Sequence, residues 1–279
     1  MTATIIEKYD ADAGDNTIPV LSNDPTLLTA IGEDFCFEYL TAASYASGTV
    51  PADGAVVGSL ANLAPDIALA LARVDAVTAA VYDAGNVPTI DVTKGWQCGT
   101  AKKGFVVNKV GVVNYRVGEP VLEGFKSFVV MAWVRLTAGG DANQSPLLCG
   151  NSTGLTTNWG VQSLSGGYTF ETQTSQAVGV LTSSLQMIAL FYDFDAVAGQ
   201  TRVSGWLNGN VVFSAVAGRA QASYVANNTN GRLTIGYGVG HGAFNGYVAR
   251  VRRVFTTLSG QTAAAIVAAE YAANSSRFV

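Results

Sequence analysis

The stretch FNGYVARVRRVFTTLS, Phe244–Ser259, decides the fold. It alternates apolar and polar residues for ten positions and then turns polar and helix-permissive. In a strand, successive side chains point to opposite faces. Strict alternation places Tyr247, Ala249, Val251 and Phe255 on one face, with Arg253 as the exception. The other face takes Val248, Arg250, Arg252 and Val254. One apolar face and one half-charged face is the pattern of an outer strand with its charged side in water. TTLS ends the strand, and Ser259 is positioned to cap a helix by accepting from an unpaired backbone N–H. Ala263–Ala273 is strongly helix-forming, with Ile266, Val267 and Tyr271 as its packing face.

Upstream, the β signal continues. GFVVNKVGVVNYRV, SFVVMAWVRL, YTFETQT, LQMIALFYDF, TRVSGWLNGNVVFSAV and GRLTIGYGV are short apolar or alternating runs separated by Gly, Asn, Ser and Thr. Such spacing predicts an antiparallel sandwich or barrel. WLNGNVV is the clearest hairpin, because Asn208-Gly209 suits the two left-handed positions of a type I′ turn. Phe35, Phe37 and Tyr39 alternate as a strand with an aromatic face, and PADG (51–54) is a turn. From Leu60 to Val81, apolar residues recur at steps of three and four, and the spacing predicts a helix. Residues 1–30 contain Asp10, Asp12, Gly14, Asp15, Asn16 and Pro19, which break any helix. They read as an extended arm lying on a partner or on the domain's own surface.

Composition narrows the class. Of 279 residues, 49% are hydrophobic and only 13% charged, with 31 glycines. That suits an ordered, turn-rich β protein whose surface is partly covered by other subunits. A net charge of −4 argues against nonspecific nucleic-acid binding, which needs a basic surface. No apolar run approaches the roughly 20 residues of a membrane helix. MTATIIEKYD lacks the basic-then-apolar pattern of a signal peptide. The three cysteines, Cys36, Cys98 and Cys149, have no CxxC spacing and read as reduced, buried thiols made in a cytoplasm.

GAFNGYVARVRRVFTTLSGQTAAAIVAAEYAAN (242–274) resembles the C-terminal signature of concanavalin A-like jelly-roll domains of the laminin-G/pentraxin type. There, a Gly-led strand ends in a short motif and a helix. FVVMAWVRL (128–136), with Trp133, resembles that family's early core strand, and LFYDFDAVAGQTRVSGWLNGNVV (190–212), with Trp206, its strand–turn–strand hairpin. The resemblance implies an all-β antiparallel jelly-roll sandwich with an extended N-terminal arm (1–30) and a short C-terminal helix. The sandwich would occupy 31–279, with 104–279 as its laminin-G-like core and 31–103 as a less characteristic N-terminal part. Joined to the composition, it also looks like a virion protein of a tailed bacteriophage, made in the host cytoplasm. The expected role is a non-enzymatic structural one: a capsid decoration or head fibre, homo-oligomeric and held to other virion subunits by the arm. The alternative is a tail or baseplate module that binds a host surface polysaccharide.

The search for chemistry turns on few residues. Glycanases of this superfamily use two carboxylates, about 5–10 Å apart. The nearest approach is Asp193-Phe194-Asp195, before the turn-like AVAGQ; a solvated turn pair outweighs calcium binding, and catalysis comes last. Laminin-G-like domains often hold calcium at the sandwich rim, so Asp193, Asp195 and Asp141 are candidate ligands of this otherwise cofactor-free chain. The lone His241 excludes a two-histidine metal site. For a sugar, aromatic residues near turns are candidates for stacking: Trp96, Trp159, Tyr224 and Tyr237, with amides in NWG (158–160) and VANNTNGR (225–232). Trp133 and Trp206 read as core.

Overall fold

The structure is a computed structural model. It describes residues 32–64, 77–81, 87–99, 104–109, 127–137, 146–151, 157–164, 167–170, 176–179, 182–220, 231–236 and 244–278. The expected arm of residues 1–30 lies outside them.

The strands in chain order are β1 (Glu33–Glu38), β2 (Ser59–Ala61), β3 (Val77–Val81), β4 (Thr89–Asp91), β5 (Gly95–Cys98), β6 (Phe105–Lys109), β7 (Phe128–Leu136) and β8 (Leu147–Asn151). They continue with β9 (Thr157–Leu164), β10 (Gly167–Phe170), β11 (Gln176–Gly179), β12 (Gln186–Val197), β13 (Gln200–Leu207), β14 (Asn210–Ala220), β15 (Gly231–Ile235) and β16 (Gly246–Phe255). Two helices follow: the single turn α1 (Thr256–Ser259) and α2 (Ala263–Asn274). No helix among the described residues is long and apolar enough to cross a membrane.

These strands form two eight-stranded antiparallel sheets. The front sheet runs β14-β13-β12-β7-β16-β5-β4, with β1 also paired to β16. The back sheet runs β11-β10-β9-β8-β15-β6-β3-β2. The chain is therefore an all-β sandwich with a short C-terminal helix, as the sequence predicted. Strands from residues 33–98 enter both sheets, so the N-terminal part is built into the same sandwich. The core between the sheets holds Trp96 against Phe105 (ring centroids 5.6 Å apart) and Phe128 against Tyr192 (5.3 Å). Tyr192 Oη reaches across to accept from the amide of Gly160 in β9 (3.2 Å).

β7 is buried from Phe128 to Val134 on both faces, which explains its near-continuous apolar sequence. The inner face meets the back sheet, and α2 covers the outer face. Trp133 stacks on Tyr271 of α2 (5.9 Å, rings 3° apart) and meets Phe278 edge-on (5.8 Å). Asn208 (φ 51°) and Gly209 (φ 76°) form the expected tight turn between β13 and β14.

Three expectations are corrected. Leu60–Val81 is not one helix: its ends are strands, β2 and β3, paired with each other. Here the ladder from β3 to β6, through β-branched Val77 and Thr78, overrides the helical spacing. Second, the helix cap is Thr262, whose hydroxyl accepts from Ala265 N (3.2 Å). Ser259 instead closes α1, where Gly260 takes the left-handed position.

The third correction concerns β16. Against β7 its register shifts between Val248 and Arg250, so Ala249 is an extra residue. Val248 pairs with Val134, while Arg250 pairs with Trp133 and Val251 with Ala132. The bulge therefore reverses the alternation, and Val248 shares the inner face with Val251, Arg253 and Phe255. Gly95 packs against this bulge at φ 122°, and a Cβ there would sit 2.6 Å from Val248 O. Nor is the outer face of β16 in water, since α2 covers it and Arg252 is only 4% exposed. Arg253 lies wholly inside, over the rings of Phe35, Phe128 and Phe255 at 5.5, 5.1 and 4.8 Å.

Candidate functional site

Under α2, the outer face of the front sheet gathers six ionisable side chains from four segments. β1 supplies Glu33 and Glu38, β16 supplies Arg250 and Arg252, α2 supplies Glu270, and the turn after α2 supplies Arg277. Glu270 is the centre. Its Oε1 accepts from Trp133 Nε1 (2.9 Å), Arg250 Nε (2.9 Å) and Asn274 Nδ2 (3.0 Å), and its Oε2 from Arg252 Nη1 (2.7 Å). Arg252 Nε also faces Glu33 Oε1 at 2.6 Å. Glu38 is held by Arg250 Nη1, by both terminal nitrogens of Arg277 (2.9 and 2.5 Å), and by the hydroxyl of Thr41 (2.6 Å).

Three carboxylates thus face three guanidiniums, and the cluster is charge-balanced when all three carboxyls are ionised. Burial acts differently on its members. At Glu33 burial outweighs the attraction of Arg252 and Arg250, and the carboxyl is pushed up to about 7. At Glu270 burial also raises the pKa, but Arg250 and Arg252, with hydrogen bonds from Arg252 and Trp133, overcome it and hold the carboxyl low. The neighbouring Cys36 thiol is driven well above its usual range, first by burial and then by Glu33, so it is no nucleophile.

Between α2 and the β1–β16 pair lies a groove of about 340 Å³. Arg252 and Glu270 lie at its buried base, Glu33 and Arg250 line the strand side, and Ala269 and Ala273 line the helix side. Arg277, its side chain 44% exposed, stands at the rim.

This cluster was not identified from the sequence. The pairs joining Glu38 to Arg250 and Arg277 are 212 and 239 residues apart. One signal was present: Glu270 is the only charged residue of α2, four positions after Ile266 and therefore on the face that packs.

The expected site residues fare unevenly. Trp96 is corrected from a sugar-stacking candidate to a core residue: it is 0% exposed, and its Nε1 donates to Tyr45 Oη (3.1 Å). Trp133 and Trp206 are buried, as expected. Trp159 lies in β9, with its side chain outside the described set, and Tyr224, Tyr237, His241 and Asp141 lie outside the described residues.

Asp193 and Asp195 do come together, on the hydroxyl of Ser127 (3.2 and 2.6 Å). Asp193 Oδ1 also accepts from the amides of Asp195 and Ala196 (2.9 and 3.0 Å), which fixes the end of β12. This is the turn-pair geometry. Calcium needs six to eight oxygens, of which this pair would supply a part only. Among the described residues no group of three or more His, Cys, Asp or Glu forms a metal site. Asp141, the third candidate ligand, lies outside the described residues.

Comparison with known proteins gives fold alone. No protein-family model and no curated protein matches the sequence. Solved structures do match. A Trypanosoma rangeli sialidase superposes over 88% of this chain and 33% of its own, with a TM-score of 0.54 and 11% identity. The same sialidase as a covalent intermediate with 2,3-difluorosialic acid gives a TM-score of 0.53 over 88% of this chain and 34% of its own, at 11% identity. The binding domain of botulinum neurotoxin serotype D gives 0.53 at 9% identity, over 91% of this chain and 53% of its own. This chain therefore spans about a third of the sialidase and half of the toxin domain. These neighbours are compatible with the concanavalin A-like sandwich. They correct the expectation that the chain is non-enzymatic: the sandwich recurs within the chain of an enzyme, so the fold is no argument against activity.

Proposed function

We propose that this sandwich is a receptor-binding module that recognises a surface polysaccharide. The observation that carries the reading is the groove beside α2, a concave site lined by planar polar side chains on a rigid sheet. Guanidinium, carboxylate and amide groups are the donors and acceptors that sugar hydroxyls need. The structural neighbours support it, since one is a toxin's binding domain and the other a sialidase captured on a sialic-acid derivative. The expected virion setting fits such a module, with the arm of residues 1–30 as its attachment to neighbouring subunits.

The test is a glycan array probed with the labelled full chain, followed by incubation with each polysaccharide retained. Saturable retention of one glycan class supports the reading. A blank array at micromolar protein overturns it. Chromatography of the incubated polysaccharide reads in the same experiment whether the chain shortens what it binds.

A further inference from the structure

We infer that the groove between α2 and the β1–β16 pair holds a single neutral, hexose-like sugar through a vicinal pair of hydroxyls. The inference rests on the glycan reading above and names its site and ligand class. Size comes first. About 340 Å³ is at the small end of ligand sites, which run from about 300 to 1,000 Å³, so it suits one sugar ring rather than an oligosaccharide.

Charge comes second. Glu33, Glu38 and Glu270 are matched by Arg250, Arg252 and Arg277, and the ion pairs already join them. Above about pH 7, where Glu33 is ionised, a phosphate, sulfate or free carboxylate entering the groove would meet carboxylates with no surplus guanidinium to neutralise it. A neutral ligand adds no uncompensated charge.

Hydrogen-bonding capacity comes third. Arg250 spends Nε on Glu270 and Nη1 on Glu38, which leaves Nη2 as a donor among the described residues. Glu33 meets Arg252 through Oε1, which leaves Oε2 as an acceptor among the described residues. Both residues line the same side of the groove. One hydroxyl accepting from Arg250 and its neighbour donating to Glu33 is the complement of two adjacent sugar hydroxyls. Across from them, the methyl groups of Ala269 and Ala273 offer a small apolar surface to the C–H face of the ring. Their i, i+4 spacing puts them on one side of the helix.

The experiment uses the full chain and the methyl glycosides of glucose, galactose, mannose and N-acetylglucosamine as probes. Calorimetric titration and saturation-transfer NMR read binding to the parent and to Ala269→Leu/Ala273→Leu, which fills the groove without touching its charges. The expected result is millimolar binding of at least one probe, weakened tenfold or more in the filled variant at an unchanged unfolding midpoint. If the double variant does not fold, Ala273→Gln at an exposed helix position gives the same reading. No binding of any probe to the parent, or equal binding to the filled variant, overturns the inference. Retention on the array by parent and filled variant alike overturns the groove and leaves the glycan reading standing. A blank array beside a probe that binds the parent and not the filled variant upholds the groove and removes the polysaccharide.

Discussion

Glu33 and Glu270 sit in one cluster and meet opposite fates because their partners differ in number. Glu270 has two arginines and two neutral donors, while Glu33 has one arginine in contact. The groups facing Glu33 are Arg250 and Arg252 from β16, Glu270 from α2 and the buried Cys36 thiol of its own strand. Its carboxyl rises from an ordinary 4.5 to about 7, so the folded state binds its proton more tightly than the unfolded state. Stability from this group is therefore greatest below about pH 4.5 and is lost as pH rises to about 7. The loss is on the order of 3 kcal/mol. Urea unfolding from pH 4.5 to 8 should show that decline, and Glu33→Gln should flatten it and be the more stable protein at pH 8. A parent curve with no decline over this range would show that Arg252 fully compensates the buried charge. Glu270→Ala has the opposite sign. It removes the carboxylate that two guanidiniums share and should cost about 3–5 kcal/mol at neutral pH by the same measurement.

At the scale of elements, the bulge in β16 does the most. One extra residue, Ala249, lets Val248 join the core while Arg250 still reaches Glu270. Its carbonyl is not wasted, since it accepts from Tyr39 N (3.1 Å). Gly95 is what allows β5 to close on the bulge. Gly95→Ala would force a methyl group into the backbone of Val248 at an unfavourable φ, costing about 2–3 kcal/mol. The expected readout is a lower urea midpoint with an unchanged m-value; an unchanged midpoint would mean the bulge relaxes freely.

Most elements were legible in the sequence because they depend on local chemistry. Asn208-Gly209 dictated its hairpin, and the run Phe128–Leu136 its central strand. The bulge was not legible, because it exists only relative to the register of β7. The segment 60–81 misled because Leu60 and Val77 fit helical spacing as well as they fit strands, and only pairing with a partner strand, β3 for Leu60 and β6 for Val77, decides between them. The site was the least legible part. Arg250 and Arg252 were visible as a charged face, but a covering helix that carries one acid looks, in sequence, like any alanine-rich helix.

For the whole molecule, the proposed function assigns residues 1–30 and the groove separate roles. If residues 1–30 attach the module and the sandwich recognises the glycan, a chain lacking residues 1–30 should keep its unfolding midpoint and its glycan retention while losing incorporation into purified particles. Mass spectrometry of particles made with the shortened chain reads this. Full incorporation would place attachment on the sandwich instead.

The position of β16 also governs how the protein can be made. It follows every other strand in the sequence, yet it lies inside the front sheet, with β7 on one side and β5 and β1 on the other. During synthesis, Phe35 and Phe37 of β1 must wait for a partner that emerges only after more than two hundred further residues have been translated. Until then the strand edges meant for β16 stay open, and a nascent chain is vulnerable to pairing with its neighbours on the same message. The front sheet is thus completed only once β16 has been made, and a ribosome that stalls before residue 246 releases a chain with no way to close it.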